Sequence, residues 1–190
     1  MRIIAGSARG RKIEAPAGKN TRPTLDRVRE NLFNILQTRM AGARVLDLFA
    51  GSGALSFEAL SRGAVEAVLC DRDREASRIE KKNAETLGFD DRAEILMCDW
   101  KAALRRMREE KRVFDIVFLD PPYRMTDLRE VFSGLEGILH ADSLVAAEHE
   151  AKEEILAGDG FEKTDERKWG YCGISFYRIR RSGTETEEEG

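Results

Sequence analysis

Residues 113–123 read VFDIVFLDPPY, an apolar run that ends in an acid, two prolines and a tyrosine. A run of this length, rich in valine, isoleucine and phenylalanine, predicts a β-strand that is buried on both faces. Pro121 and Pro122 lack a backbone N–H, but their carbonyl groups still accept hydrogen bonds. With the carboxylate of Asp120 and the ring of Tyr123, the end of this strand suits a planar ligand that carries an NH2 group. A simple proline turn is the alternative interpretation.

Around this run the sequence alternates between predicted strands and predicted helices. The predicted strands are residues 44–49, 65–71, 92–97, 113–119, 143–150, 161–169 and 173–180. The predicted helices lie within residues 50–63, 74–88, 100–110, 127–139 and 153–157. Strands separated by helices predict an α/β fold with right-handed crossovers, a mostly parallel sheet and helices on both of its faces. The last two strands are close enough in sequence to form a hairpin that makes one strand antiparallel.

The composition is that of one soluble globular domain. Of the 190 residues, 42% are apolar and 35% are charged, and the longest apolar runs have the length of a strand. The N-terminal residues lack the apolar segment of a signal peptide, so we predict a cytoplasmic protein without a membrane segment. The three cysteines, Cys70, Cys98 and Cys172, show no CxxC spacing, and the sequence has no histidine cluster. We therefore predict free thiols and no bound metal.

The first forty residues are basic, with nine lysines or arginines against three acids. An SARGR turn between two short segments predicts a hairpin, and Thr24 is the predicted N-cap of an amphipathic helix with Asp26 in its first turn. A basic arm of this kind suggests contact with nucleic acid, and a solvated basic face is the alternative. The candidate contacts are Arg2, Arg9, Arg11, Lys12, Arg22, Thr24, Arg27 and Arg29.

These patterns divide the chain into three regions. Residues 1–40 are the predicted RNA-binding extension, and residues 41–180 are the predicted α/β domain. Residues 181–190 contain four glutamates and predict a disordered acidic tail.

The predicted strand ends carry the candidate cofactor site. The first strand runs into DLFAGSGALSFEAL, in which Gly51 and Gly53 allow a tight turn beside the start of a helix. Because Ser56 replaces the third glycine of a dinucleotide fingerprint, and Asp47 suits an ammonium better than a pyrophosphate, a nicotinamide cofactor fits poorly. The second strand ends at Asp71, whose carboxylate can accept from both hydroxyls of a ribose.

The third strand ends at Asp99, which is followed by Trp100. This pair can accept from the amino group of an adenine and pack on its ring, although Asp99 can also be a helix cap. An amino acid part, a ribose and an adenine without phosphate describe S-adenosylmethionine. The candidate cofactor-binding residues are Asp47, Phe49, Ala50, Gly51, Gly53, Asp71, Arg72, Asp99 and Trp100.

Three segments resemble the motifs of the class I methyltransferases that methylate exocyclic amino groups. They are DLFAGSGALSFEALSRGA, LCDRD and LDPPY. The segments RIIAGSARGRKIEAP and TRPTLDRVRENLFNIL resemble one family among them, the RsmD-type 16S rRNA guanine-N2 methyltransferases. The resemblance extends from Arg2 to about Glu150. It departs at the last hairpin, where residues 169–172 read WGYC and the family tends to have a tyrosine-glycine-threonine type of turn.

The resemblance implies a Rossmann-like class I methyltransferase fold with a seven-stranded sheet, S-adenosylmethionine as cofactor, and 16S rRNA or the small ribosomal subunit as partner. We expect a monomer. It implies methylation of the N2 amine of a guanine, of the guanine 966 type. Asp120 and the Pro121 carbonyl would orient this amine, and Tyr123 would stack on the base. An amino methyltransferase for adenine or protein glutamine, and a non-catalytic RNA-binding module, are the alternatives.

Overall fold

The computed structural model describes residues 1–16, 23–122 and 124–180. Its α-helices are α1 (Pro23–Ile35), α2 (Ala54–Ser61), α3 (Arg74–Leu87), α4 (Trp100–Glu109) and α5 (Arg129–Leu135). Its strands are β1 (Arg44–Asp47), β2 (Glu66–Asp71), β3 (Ala93–Met97), β4 (Phe114–Leu119), β5 (Leu139–Glu150), β6 (Phe161–Trp169) and β7 (Cys172–Ile179). Short 3-10 helices follow α1 and α5, at Gln37–Arg39 and Glu136–Ile138.

The seven strands form one sheet in the order β3-β2-β1-β4-β5-β7-β6. Neighbouring strands from β3 to β5 pair in parallel, and β7 pairs antiparallel with both β5 and β6. The strand order therefore reverses between β1 and β4, and ligands of such sheets bind at the carboxyl ends of the strands beside this reversal. The predicted α/β fold of the class I methyltransferases, with one antiparallel strand, is confirmed.

Strand β4 lies in the middle of the sheet and is covered on both faces. Ile116 and Phe118 pack in a core cluster with residues of α1, α2 and α3, whereas Val117 and Leu119 pack on the other face with residues of α4 and α5. All four side chains are at most 1% exposed. Full burial of one such side chain stabilises the folded state by about 1.5 to 3 kcal/mol. This accounts for the uninterrupted apolar run in the sequence.

The structure differs from three local predictions. Residues 153–157 form no helix, because Leu156 pairs with the segment before α5, where its N–H donates to the Thr126 carbonyl at 3.0 Å. The predicted helix at 127–139 is shorter, and its end is the start of β5, since Leu139 already pairs with Phe114. Thr24 is not an N-cap, because α1 begins one residue earlier at Pro23, whose fixed φ suits the first turn of a helix.

Residues 1–16, the N-terminal arm, fold back on themselves and dock on α2. The predicted hairpin is reduced to a single antiparallel bridge between Arg2 and Lys12. The fully buried carboxylate of Glu58 on α2 accepts hydrogen bonds from the backbone N–H groups of Ile4 and Ala5, at 2.8 and 3.0 Å. Unpaired N–H groups and a buried carboxylate are both costly, so this contact fixes the arm to the sheet domain.

Two further predictions concern the whole chain. All three cysteines are free thiols, as predicted, and the Sγ atoms of Cys70 and Cys98 are 3.9 Å apart. Within the three described ranges, no helix combines the length and the apolar character that crossing a membrane requires.

Candidate active site

A cleft opens at the carboxyl ends of β1 and β4, where the strand order reverses. Its walls include the predicted residues Asp47, Phe49, Ala50, Gly51 and Asp120. Further wall residues that the sequence did not single out for this site are Met1, Asp26, Val28, Leu32, Ser52, Ala54, Leu55, Glu148 and Ile174. The cleft thus brings together the glycine turn, the end of the DPPY strand, helix α1 and the end of β5.

The turn after β1 needs glycine at two positions. Gly51 and Gly53 have φ angles of 60° and 75°, in the left-handed region that side chains disfavour. A Cβ atom on Gly53 would also overlap the ring of Phe57. The turn is held by two hydrogen bonds, from Gly53 N to the Ala50 carbonyl at 2.7 Å and from Gly51 N to Asp71 Oδ2 at 2.9 Å. A ligand in the cleft can therefore approach the backbone closely.

Asp47 lies at the base of the cleft and is only 1% exposed. Its Oδ2 accepts a hydrogen bond from the Ser56 hydroxyl at 3.0 Å, whereas Oδ1 has no hydrogen-bond partner among the described residues. Burial, with a smaller contribution from Asp120, raises the pKa of Asp47 to about 7. A buried carboxylate with an unpaired oxygen is a good acceptor for an ammonium group, which would restore its charged form. This observation fits the amino acid part of S-adenosylmethionine.

The next two strand ends present the remaining predicted cofactor contacts. Asp71 is held in place because its two oxygens accept from Gly51 N and Asp73 N, each at 2.9 Å. Asp99 is the N-cap of α4, with Oδ1 accepting from Ala102 N at 2.8 Å, so the alternative interpretation as a cap is correct. A capping carboxylate keeps a second oxygen that can accept from a ligand. Trp100 is half-buried beside the Asp99 cap, and Arg72 is exposed.

Of the described residues of the DPPY corner, Asp120 lines the cleft. Asp120 is exposed, Pro121 is buried, and Pro122 is exposed with its carbonyl accepting from Met125 N at 2.8 Å. The second proline therefore anchors a turn, and the Asp120 carboxylate and the Pro121 carbonyl remain the candidate acceptors. Tyr123 lies outside the described residues.

Among the cleft residues that the sequence did not single out, Glu148 is the one that lies next to Asp120. It directly follows Ala147, which pairs with Leu119 in the parallel β4–β5 ladder, so Glu148 and Asp120 leave neighbouring strands side by side. Burial and, next, the Asp120 charge raise the pKa of Glu148 to about 8, and the nearby Cys172 thiol offsets part of this rise. The sequence feature that could have identified Glu148 is its position near the end of the fifth predicted strand, since the other candidate acids also end strands.

Most candidate RNA contacts are exposed, but one is not. Arg2, Arg9, Arg11, Lys12 and Arg27 are exposed. The side chain of Arg11 donates to the Thr86 and Leu87 carbonyls at the end of α3, with 2.9 Å for the Leu87 bond.

Arg29 is only 6% exposed, and this corrects its assignment as a surface phosphate contact. Its guanidinium donates to the Arg2 carbonyl and to Asp26, so it forms part of the cleft wall. Arg22 lies outside the described residues, and the same holds for the predicted tail at 181–190.

The raised pKa values of Asp47 and Glu148 predict a pH-dependent stability. Each carboxyl group has a higher pKa in the folded chain, about 7 and about 8, than the ordinary 3.8 and 4.5. Their stabilising effect is therefore complete below about pH 4 and is lost as the pH rises through 7 to 8. We expect the melting temperature of the ligand-free protein to fall between pH 5.5 and pH 8.5, measured by thermal unfolding.

Glu148→Gln should flatten this slope, since each unit of pKa shift corresponds to about 1.4 kcal/mol of free energy of unfolding. Glu150→Gln is the matched control, because Glu150 lies on the same strand and pairs with Lys152 at the surface, at 3.2 Å. Equal slopes in Glu148→Gln and the unmodified protein would contradict the expected titration.

Comparison with known proteins agrees with this geometry. A family model described as conserved hypothetical protein 95 matches residues 1–178. The ribosomal RNA small subunit methyltransferase D of Escherichia coli K12 is 42% identical over 154 residues, which are 80% of this chain and 76% of that protein. The protein of the same name from Haemophilus influenzae is 34% identical over 181 residues, 94% of this chain and 93% of that one.

Solved structures give the same result at the level of the fold. The Escherichia coli protein yhhF superposes with a TM-score of 0.79 at 36% identity, covering 96% of this chain and 99% of that chain. A hypothetical protein of Thermus thermophilus gives a TM-score of 0.79 at 31% identity, covering 94% and 99%. With its fold, its glycine turn and its DPPY corner, the chain belongs to the conserved hypothetical protein 95 family, the RsmD family of methyltransferases.

Proposed function

We propose that this protein methylates the exocyclic N2 amine of one guanine in 16S rRNA, of the guanine 966 type, with S-adenosylmethionine as the methyl donor. The observation that carries the proposal is that Asp120, the acid at the end of β4, lines the same cleft as Asp47 and Gly51 of the glycine turn. The names of the relatives support an RNA of the small ribosomal subunit as the substrate. We propose that the protein acts in the cytoplasm as a monomer.

The cofactor would be held by acids at three strand ends. Asp47 would accept from the α-ammonium group, Asp71 from the ribose hydroxyls and Asp99 from the adenine amino group. Phe49, Ala50, Arg72 and Trp100 complete the proposed site, with the Trp100 ring available for packing on adenine. When bound, S-adenosylmethionine supplies an electrophilic methyl group whose bond to sulfur breaks with the electron pair left on sulfur.

Asp120 and Pro121 would prepare the amine for this methyl group. The N2 lone pair of guanine is delocalised into the ring, so the amine is a weak nucleophile. Hydrogen bonds from N2 to the Asp120 carboxylate and the Pro121 carbonyl would turn the lone pair toward the cleft, by positioning and electrostatics. The proton that N2 loses passes to Asp120 or to water. We further propose that Tyr123 stacks on the flipped base and offsets part of the unstacking cost of a few kcal/mol.

The basic extension at residues 1–40 would hold the RNA. Arg2, Arg9, Arg11, Lys12 and Arg27 are the exposed candidates for phosphate contacts. We also propose Arg22 and Thr24 for this role. Each phosphate contact would release counterions, so RNA binding should weaken steeply as the salt concentration rises.

Methyl transfer to purified small ribosomal subunits tests this function. The subunits come from a strain that lacks the gene, and the methyl donor carries a radioactive methyl group. We expect about one methyl group per subunit, located on N2 of a single guanine by mass spectrometry of the digested rRNA. Subunits from the strain that contains the gene are the control and should accept almost none. Label on adenine, on DNA or on a protein glutamine instead would refute the proposal.

A further inference from the structure

Glu148 is a cleft residue that the proposed transfer step does not use. It lies at the end of β5, beside Asp120 at the end of β4, because the two strands are parallel and Leu119 pairs with Ala147. Both carboxyl groups line the cleft that also contains the glycine turn. The cleft therefore presents two adjacent acceptors to a base that enters it.

Holding Glu148 here is unfavourable for the fold. Burial and the neighbouring Asp120 charge both disfavour its ionised form. Once it is ionised, a carboxyl group placed in a cleft against a like charge lowers the stability of the fold, and such groups are common at functional sites. Because this placement of Glu148 does not help folding, we expect the residue to have a role in ligand binding or catalysis.

We propose that Glu148 is a specificity-determining residue, whose carboxyl group accepts a hydrogen bond from N1–H of the target guanine while Asp120 accepts from N2–H. This inference rests on the proposed function, and it concerns how the same site chooses its base. The two residues together would read the edge of the flipped base.

The chemistry of the base edges favours this assignment. On its Watson–Crick edge, guanine carries two adjacent donors, N1–H and the N2 amine. In adenine the ring nitrogen next to the exocyclic amine is an acceptor, and the same is true of cytosine. Flipped bases are read by hydrogen bonds to this edge, and a site built for a donor rejects an analogue without that donor. Asp120 and Pro121 alone can accept from any exocyclic amine. Glu148 would therefore be the residue that selects guanine over adenine and cytosine.

The nearby alternatives are less suitable for this role. His149, the next residue, is buried, and its ring nitrogens are within 2.8 Å of the Glu150 carbonyl and 2.9 Å of the Ser175 hydroxyl. Asp26, on the opposite wall, is bonded to Arg29 at 3.2 Å. Asp47 also ends a strand and lines the cleft, but it is the proposed acceptor for the ammonium group of the cofactor. Glu148, next to Asp120 on the neighbouring strand, is therefore the carboxyl group that we assign to the base.

The test compares two RNAs that differ at one base. A synthetic RNA covers the methylated guanine, and a second RNA carries 2-aminopurine at that position. This base keeps the N2 amine but has a ring lone pair in place of N1–H. The assay runs at pH 8.5, where Glu148 is largely ionised because its pKa is about 8. We expect the wild-type kcat/KM to be at least about 100-fold higher for guanine than for 2-aminopurine, because Glu148 would have no N1–H to accept from in the 2-aminopurine complex.

Glu148→Ala should lower kcat/KM for the guanine RNA by about 100-fold and for the 2-aminopurine RNA by less than about threefold, so that the preference nearly disappears. Glu148→Gln keeps a carbonyl acceptor and should restore most of the preference. Glu150→Ala, two residues further on the same strand and outside the cleft wall, is the control and should behave like the wild type.

Several results would overturn the assignment. One is an equal loss of kcat/KM on both RNAs in Glu148→Ala. Another is a Glu148→Ala variant that prefers guanine over 2-aminopurine as strongly as the wild type does. A third is a wild-type enzyme with the same kcat/KM on both RNAs. Calorimetry of cofactor binding to each variant shows whether the cleft is intact. If wild-type protein transfers no methyl group to the guanine RNA or to the subunits, the proposed function fails and the role of Glu148 fails with it. A failure of the preference alone leaves the proposed function standing.

Discussion

Asp120→Ala is expected to lower the rate of methyl transfer by more than about 1,000-fold while the affinity for S-adenosylmethionine stays within about tenfold. The substitution removes the carboxylate that would orient the N2 lone pair. Each tenfold loss of rate corresponds to about 1.4 kcal/mol of transition-state stabilisation. Cofactor affinity should change little, because Asp47 and Asp71 lie on other strands. Single-turnover methyl transfer measures the rate, and calorimetry measures the affinity.

A matched control is available seven residues later. Asp127 is also exposed, and its carboxylate pairs with Arg129 at 2.6 Å, outside the cleft wall. Asp127→Ala should therefore keep full activity. Asp120→Asn keeps an acceptor oxygen and should fall between the two variants. Full activity of Asp120→Ala would exclude the proposed role of this residue.

Gly6→Ala is expected to reduce the free energy of unfolding by more than about 3 kcal/mol, from the sum of backbone strain and steric overlap. Gly6 has a φ angle of 83°, and a Cβ atom there would overlap the backbone carbonyl of Ser61 on α2. A backbone carbonyl within a helix cannot move aside as a flexible side chain can. The arm would have to leave its position and expose the carboxylate of Glu58.

Gly10→Ala separates the two causes of this loss. Gly10 has a similar φ angle of 80°, but a Cβ atom there meets nothing within 4 Å. This variant should therefore lose only the backbone term, about 1 kcal/mol. Urea denaturation followed by circular dichroism measures both variants. Equal losses would show that the contact between the arm and α2 is not close.

Much of the fold could be predicted because the strongest patterns are local. The apolar run at 113–119 predicts the central strand, since a strand covered on both faces has no polar side to interrupt it. The acids at 47, 71, 99 and 120 were predictable as a group, because parallel strands bring their carboxyl ends to one edge.

The errors arise where partners distant in the sequence decide the outcome. The pattern of α1 suggested that Arg29 faces solvent, but the guanidinium is covered because the backbone carbonyl of Arg2 comes to it from the arm. Residues 153–157 have helical composition, yet pairing of Leu156 with the segment before α5 prevails over local propensity. Glu148 resembled an ordinary polar residue at the end of the fifth predicted strand until the β4–β5 register placed it next to Asp120.

The docking of the arm on Glu58 also has a consequence for the order of folding. Ile4 and Ala5 are 54 and 53 residues away from Glu58 in the sequence. During synthesis the first residues leave the ribosome well before their partner helix exists, and contacts of high sequence separation form late because loop closure costs entropy. The arm should therefore remain unfolded on the nascent chain until α2 has emerged. Its docking on α2 can then begin when β1 is the only strand of the sheet that has been synthesised, among the described residues.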